Sequence, residues 1–324
     1  MTTESFHPFR SERAREEFLS FYLEKAKRWP IPSETRLIDT ASGATFVRIS
    51  GKASDPPLVL LPGARGSSLM WIPNIAALSA RHRTYALDLV TDVGLSKPHK
   101  EFTRPEDFVD WLDEVLSVPS PDRSVDLMGI SYGGWVAALY ASRRPDRLRK
   151  VVLLAPGGAV RISLSFYLSV AFLAIHLPGR LEGGGRRLRR ILRWIFQDAL
   201  RSAGPDREAV EQDLFEMVMS GRFFARPRMM WPTAFDDEEW RAFAVPALFL
   251  VGENEKIYSP RKVVRRLQRV APLVRTEIIP GAGHDLTMVK ADLVAARILA
   301  FLDQSPKDAQ PGHAHEPEGV SSAA

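Results

Sequence analysis

Val125-Asp126-Leu127-Met128-Gly129-Ile130-Ser131-Tyr132-Gly133-Gly134 is the stretch that decides how the chain folds. Its first part is a short apolar run of the kind that forms a buried strand, and Trp135-Val136-Ala137-Ala138-Leu139-Tyr140 reads as the opening turns of a helix. A serine between strand and helix, with a glycine two residues to either side, is the G-x-S-x-G nucleophile elbow. The turn is sharp enough to strain the serine backbone, and a side chain on either flanking glycine would collide with the neighbouring strand or helix. The strain lifts Oγ of Ser131 clear of the sheet, where the helix N-terminus favours developing negative charge.

On both sides of the elbow, strands and helices alternate. Leu58 to Leu61 is a continuous apolar run of the type buried on both faces of a parallel sheet, and Thr84 to Val90 and Val151 to Leu154 read as further strands. Met70 to Leu78 and Asp107 to Leu116 carry helical patterns, the second started by Pro105. Further upstream, Ser11 to Trp29 has helical spacing, and Thr35 to Ile38 and Thr45 to Ile49 alternate around Ala41-Ser42-Gly43 as an antiparallel hairpin. This rhythm predicts a parallel sheet flanked by helices, with ligands at the C-terminal ends of the strands. Between Gly158 and Trp240 only helical patterns occur: Ile162 to Leu177, Arg186 to Phe196 and Arg207 to Met219. Strands then resume at Pro246 to Gly252 and Arg275 to Ile279, with helices from Pro260 to Val270 and Ala291 to Leu302.

The expected organisation is therefore a helical extension over 1–34, the first part of an α/β core over 35–157, an inserted helical lid over 158–243, the rest of the core over 244–303, and a disordered tail over 304–324. A chain of 324 residues has room for one such domain with an insertion. With no cysteine there is no disulfide, no thiolate metal site and no thiol nucleophile. The net charge of +5 comes with arginines gathered in 180–193 and 261–269; no nucleic-acid-binding module accompanies them, so they read as solvated helix faces. Met1 to Ser5 lacks the basic and apolar regions of a signal peptide, and a cytoplasmic protein is expected. The stretch from Ile162 to Leu177, with His176 and several serines, is shorter than the ~20 apolar residues a membrane span needs, so stable membrane insertion is not expected. Oligomeric state has no signature in the sequence.

A serine hydroxyl needs a base, and the base needs an orienting acid. His284, in Pro280-Gly281-Ala282-Gly283-His284-Asp285, follows the last strand at the sheet edge where Ser131 lies. His7, His82, His99 and His176 have no such setting, and His313 and His315 lie in the tail without other metal ligands; no metal and no organic cofactor is called for. The loop Gly252-Glu253-Asn254-Glu255-Lys256-Ile257-Tyr258 offers two carboxylates, of which Glu255 sits far enough into the loop to reach the imidazole.

Serine, acid and histidine in that chain order, after a Pro-Gly turn on the third strand, resemble the α/β-hydrolase superfamily. Met70-Trp71-Ile72-Pro73-Asn74-Ile75, Arg83-Thr84-Tyr85-Ala86-Leu87-Asp88, Gly252 to Tyr258 and Gly281-Ala282-Gly283-His284 resemble its bacterial carboxylesterase-type members, whose acid falls on Glu255. The resemblance runs from about Thr35 to Leu302 and implies a mostly parallel eight-stranded sheet. It implies an oxyanion hole from the backbone N–H groups of Ala64 and Tyr132. Pro62 stands where many relatives carry histidine, so a brace for that loop is missing. Asp88 to Ser96 resembles a superfamily loop that keeps Gly94 and Ser96 but has Thr91-Asp92 in place of an earlier glycine; Asp88 is read as structural.

Together these readings predict a serine hydrolase acting on small to medium apolar carboxylic esters through a Ser131-His284-Glu255 triad and an acyl-enzyme. Lactone or thioester hydrolysis, acyl transfer and carbon–carbon cleavage use the same triad and stay open, as does ligand binding without turnover. Epoxide and haloalkane hydrolysis are disfavoured, because they need a carboxylate where Ser131 stands.

Overall fold

The computed structural model describes residues 9–120, 124–164, 166, 168, 181–224 and 229–304. Helix α1 (Glu12–Ala26) precedes the hairpin of β1 (Glu34–Thr40) and β2 (Gly43–Ser50), which pair antiparallel. Strands β3 (Pro57–Leu61), β4 (Arg83–Leu87), β6 (Val125–Ile130), β7 (Leu148–Leu154), β8 (Ala247–Gly252) and β9 (Val274–Ile279) follow. The sheet order is β1-β2-β4-β3-β6-β7-β8-β9, an eight-strand path that is parallel from β4 to β9. A ninth strand, the two-residue β5 (Lys97–Pro98), pairs with β2. It is too short for any alternation to announce it.

The order places the site. From β3 the chain moves outward to β4, then returns to lay β6 on the other side of β3, so the loops leaving β3 and β6 diverge. Ligands bind in the crevice such a reversal leaves, and Pro62-Gly63-Ala64 and Ser131 are the residues at its rim.

Alternation in the strands builds two cores. Val59, Leu61, Leu127, Val151, Leu153 and Phe249 pack against α3 (Pro105–Leu116) and α4 (Tyr132–Arg143) through Trp111, Trp135 and Tyr140. Leu58, Leu60, Met128, Val152 and Leu248 face α2 (Ile75–Ser79) and the closing helix Ala291–Leu302. Burial on both faces is why these strands read as mostly apolar runs. The helix expected over Met70 to Leu78 is divided into a 3₁₀ turn, Ser68–Trp71, and α2, because Pro73 between them has no N–H to give.

Between β7 and β8 lie α5 (Leu181–Ile195), α6 (Gln197–Ser202), α7 (Arg207–Met219) and α8 (Asp237–Arg241). Sequence periodicity missed α6 and α8, each little more than a turn. Two of the clustered arginines make side-chain pairs within the fold: Arg193 Nε donates to Glu211 at 2.9 Å, and Arg266 Nε of α9 (Pro260–Val270) donates to Asp237 at 2.7 Å. Most of the apolar stretch 162–177, including Tyr167, Phe172 and His176, lies outside the described residues, as do His7, His313, His315 and the expected tail from 305 onward.

Helix α1 is tied to both the core and the insertion. Phe18 packs with Phe223 and Phe224, and the Arg10 backbone N–H donates to Phe223 O at 2.9 Å. The buried Tyr22 hydroxyl donates to Asp88 Oδ2 at 3.1 Å and lies 3.0 Å from Ser68 Oγ. Tyr22→Phe removes a donor from a fully buried carboxylate and is expected to cost about 1–3 kcal/mol, read as a lower urea midpoint with an unchanged slope.

Candidate functional site

Ser131 stands at φ 52°, ψ −115°, a conformation L-residues rarely adopt. Its backbone is held from the end of β7: its N–H donates to Leu154 O, and its carbonyl accepts from Gly157 N–H, both at 2.9 Å. The glycine requirement is steric. A Cβ on Gly129 would lie 2.1 Å from Gly133 O, and one on Gly133 would lie 2.4 Å from the carbonyls of Leu61 and Pro62. Strand β6, helix α4 and the end of β3 touch through bare backbone here, and that contact lets Ser131 project at the rim.

His284 leaves the loop after β9 and meets the serine. Its Nε2 is 2.9 Å from Ser131 Oγ, and its Nδ1 is 2.8 Å from Glu255 Oε2. The two loops that carry acid and base run backbone to backbone: Asn254 N–H donates to Ala282 O at 2.9 Å, and a Cβ on Gly252 would fall 2.3 Å from that oxygen. Glu255 Oε1 accepts from the N–H groups of Lys256 at 2.8 Å and Ile257 at 2.9 Å. Burial works against its ionisation, but the His284 charge and hydrogen bond, with the two amides, outweigh it and hold the carboxyl below its ordinary value. Burial likewise works against protonation of His284, yet the charge and hydrogen bond of Glu255, helped by Asp285, leave its pKa raised. The other carboxylate of the loop, Glu253, is exposed and accepts from Gly281 N–H at 3.2 Å, away from the imidazole.

The turn after β3 lies against the serine: a Cβ on Gly63 would come 3.3 Å from Ser131 Cβ, and Gly66 N–H closes the turn on Gly63 O at 3.0 Å. Ala64 sits within that turn. Tyr132 opens helix α4, so its N–H has no acceptor within the helix. The brace expected to be missing with Pro62 is supplied from elsewhere. Asp92 Oδ2 accepts from Arg65 N–H at 2.7 Å, holding Arg65 at φ 59°, and Asp88 Oδ1 accepts from Ser68 N–H at 2.6 Å. Thr91-Asp92 was legible as a departure from the superfamily loop; its contact with the turn at Arg65 was not.

Among the described residues no group of three or more His, Asp or Glu side chains is placed to hold a metal ion, and no helix is long and apolar enough to cross a membrane. Residues 58–297 match the profile of the Alpha/beta hydrolase family. The chain belongs to this family. The carboxylesterase YbfK of Bacillus subtilis (strain 168) is 31% identical over 291 residues, which are 88% of this chain and 93% of the relative. The uncharacterized carboxylesterase nap of the same organism is 30% identical over 296 residues, 87% and 91% of the two chains. The crystal structure of naproxen esterase from Bacillus subtilis matches with a TM-score of 0.78 at 29% identity, covering 90% of this chain and 98% of that one. That of carboxylesterase CesB (YbfK) matches at 0.77 and 28%, covering 90% and 99%.

This α/β hydrolase is thus an enzyme of the serine-hydrolase kind, similar to carboxylesterases over nearly its whole length. Its geometry brings Ser131, His284 and Glu255 into one hydrogen-bonded line, with Gly63, the residue before Ala64, against the serine and Tyr132 next after it in the chain. Three further polar residues adjoin that line without having been singled out from the sequence: Asn254, Asp285 and Asp198. The first two are chain neighbours of the acid and the base, which was a signal. Asp198, in α6, had none.

Proposed function

We propose that this hydrolase cleaves carboxylic esters of small to medium apolar substrates through Ser131, His284 and Glu255, by way of an acyl-enzyme. The observation that carries the reading is the continuous chain Ser131 Oγ–His284 Nε2 at 2.9 Å and His284 Nδ1–Glu255 at 2.8 Å, built on a strained serine. His284 takes the Ser131 proton as Oγ attacks the ester carbonyl, and the N–H groups of Ala64 and Tyr132 stabilise the tetrahedral oxyanion. His284 then gives that proton to the departing alcohol. Water, deprotonated by the same imidazole, attacks the acyl-enzyme and regenerates Ser131. The helical insertion acts as a lid: Ile162, Phe166, Met229 and Met230 pack, as Ala64 does, as partly buried apolar groups against the same core cluster, and Phe196 lies with its ring centroid 6.4 Å from that of His284. These side chains favour an apolar acyl or alcohol part. The carboxylesterase relatives support ester hydrolysis as the reaction.

The test is labelling with a fluorophosphonate, located by peptide mass, together with turnover of p-nitrophenyl esters of graded acyl length. One adduct on Ser131 and preferential turnover of short to medium acyl chains are expected. A folded protein that takes no adduct would overturn the reading.

The pH dependence follows from the base. His284 accepts a proton only when neutral, and its pKa is raised because Glu255 outweighs the opposing effect of burial. The acidic limb of kcat/KM is therefore expected at a higher pH than an ordinary histidine would give, with activity lost as pH falls through it. A pH profile of the free enzyme at low substrate concentration measures this directly.

A further inference from the structure

Behind the imidazole, two consecutive residues of the insertion reach both catalytic loops. In α6, Asp198 Oδ2 accepts from Asn254 Nδ2 at 2.9 Å, and Ala199 N–H donates to Asp285 Oδ2 at 2.7 Å. Asn254 immediately precedes Glu255, and Asp285 immediately follows His284. The other oxygen of Asp285 accepts from Gly283 N–H at 3.0 Å, so one carboxylate spans the residue before His284 and the insertion. Packing is tight: a Cβ on Gly283 would stand 3.3 Å from Asn254 O and 3.4 Å from Asp198 Oδ2. Asp285 is 1% exposed and Asp198 6%. Burial pushes the Asp285 carboxyl up, the Ala199 and Gly283 amides pull it back, and the Asp198 charge adds to the rise. Arg201 stands 3.7 Å from the other oxygen of Asp198.

We propose that Asp285 is a positioning residue which, with Asp198 and Asn254, clamps the insertion to the acid loop and the base loop and keeps His284 aligned with Ser131. The inference rests on the triad reading above. His284 sits at the end of Gly281-Ala282-Gly283, a segment with two glycines and no long side chain to anchor it. Glu253 holds Gly281 N–H, Asn254 N–H holds the Ala282 carbonyl and Glu255 turns the imidazole, while Asp285 adds the tie from this loop to the insertion. Both ties run to consecutive residues of α6, so one turn of the insertion holds the acid loop and the base loop together.

The test uses the full chain with Asp285→Ala, Asp285→Asn, Asp198→Ala and the double variant Asp198→Ala with Asp285→Ala. The readouts are kcat and KM on p-nitrophenyl butyrate, the rate of fluorophosphonate labelling of Ser131, and the melting temperature. Asp285→Ala is expected to lower kcat and the labelling rate together by about 10- to 100-fold, with KM within about threefold of wild type. Asp285→Asn keeps one acceptor oxygen for the two N–H groups and is expected to recover part of the loss. The double variant is expected to fall short of the product of the two single effects, because both act on one clamp. If Asp285→Ala fails to fold, Asp198→Ala carries the test, and labelling at the wild-type rate in that variant overturns the proposal. A lowered melting temperature with unchanged kcat and labelling rate in Asp285→Ala also overturns it, leaving a purely structural carboxylate. A wild type that hydrolyses esters without taking the label on Ser131 removes the triad reading and this inference with it; a labelled wild type beside an unimpaired Asp285→Ala removes this inference alone.

Discussion

Ser131→Ala is expected to lower kcat by about a million-fold, while changing stability by no more than about 1 kcal/mol. The loss is large because no other group stands where Oγ does: it lies 2.9 Å from His284 Nε2 at the crevice between the diverging loops of β3 and β6. Deleting the oxygen leaves the base without a proton to take and the oxyanion donors without an adduct to bind. The fold should tolerate the change. Serine and alanine share the same Cβ, so the strain at φ 52° is the same, and the bonds that hold the residue, to Leu154 and Gly157, are made by its backbone. The measurement is steady-state turnover with an intact-mass check that the fluorophosphonate adduct has disappeared. Turnover above about 1% of wild type would assign the nucleophile elsewhere.

The second large effect belongs to the acid. Glu255→Gln is nearly isosteric, and the structure dictates how the amide must sit. The N–H groups of Lys256 and Ile257 both donate to Oε1, so the glutamine oxygen takes that place and its NH2 group is turned toward His284 Nδ1. Nδ1 then has to accept, which moves the imidazole proton to Nε2. An Nε2–H donates toward Ser131 Oγ instead of taking its proton, and the imidazolium formed during attack has lost its counter-charge. The expected cost is about 10⁴ in kcat. Because Glu255 is what raises the His284 pKa, the acidic limb of the residual activity should move to lower pH. A fall of less than about tenfold in kcat, or an unmoved limb, would show that this carboxylate does not orient the base.

Residues close together in the chain announced most of the architecture. The elbow at Gly129–Gly133 is a short-range object: strand, turn and helix are consecutive, and the clash that demands glycine at 129 lies four residues on, although the one at 133 is with the end of β3. The apolar runs of β3, β6, β7 and β8 were legible because burial on both faces favours apolar residues along most of each strand, Asp126 of β6 and Lys150 of β7 being buried exceptions. His284 and Glu255 stood in short loops after consecutive strands of a parallel sheet, and parallel order brings such loops to one edge. The proposed nucleophile, base and acid, and the α/β class itself, were therefore legible in local patterns joined by one rule of topology.

What bound those parts together was decided only in three dimensions. Asp92 restrains the turn after β3 through Arg65, and Tyr22 reaches Asp88 across 66 residues of chain. Ala199 reaches Asp285 across 86, and Asp198 reaches Asn254 across 56. A buried aspartate has the same letter as a solvated one; its role depends on which N–H groups the fold delivers to it, and no window along the chain contains both partners. Turn sterics and strand burial act largely between chain neighbours, so the proposed serine, acid and base could be picked out from local patterns. The contacts that hold those side chains in line join donors and acceptors that meet once the sheet, the insertion and the first helix pack together.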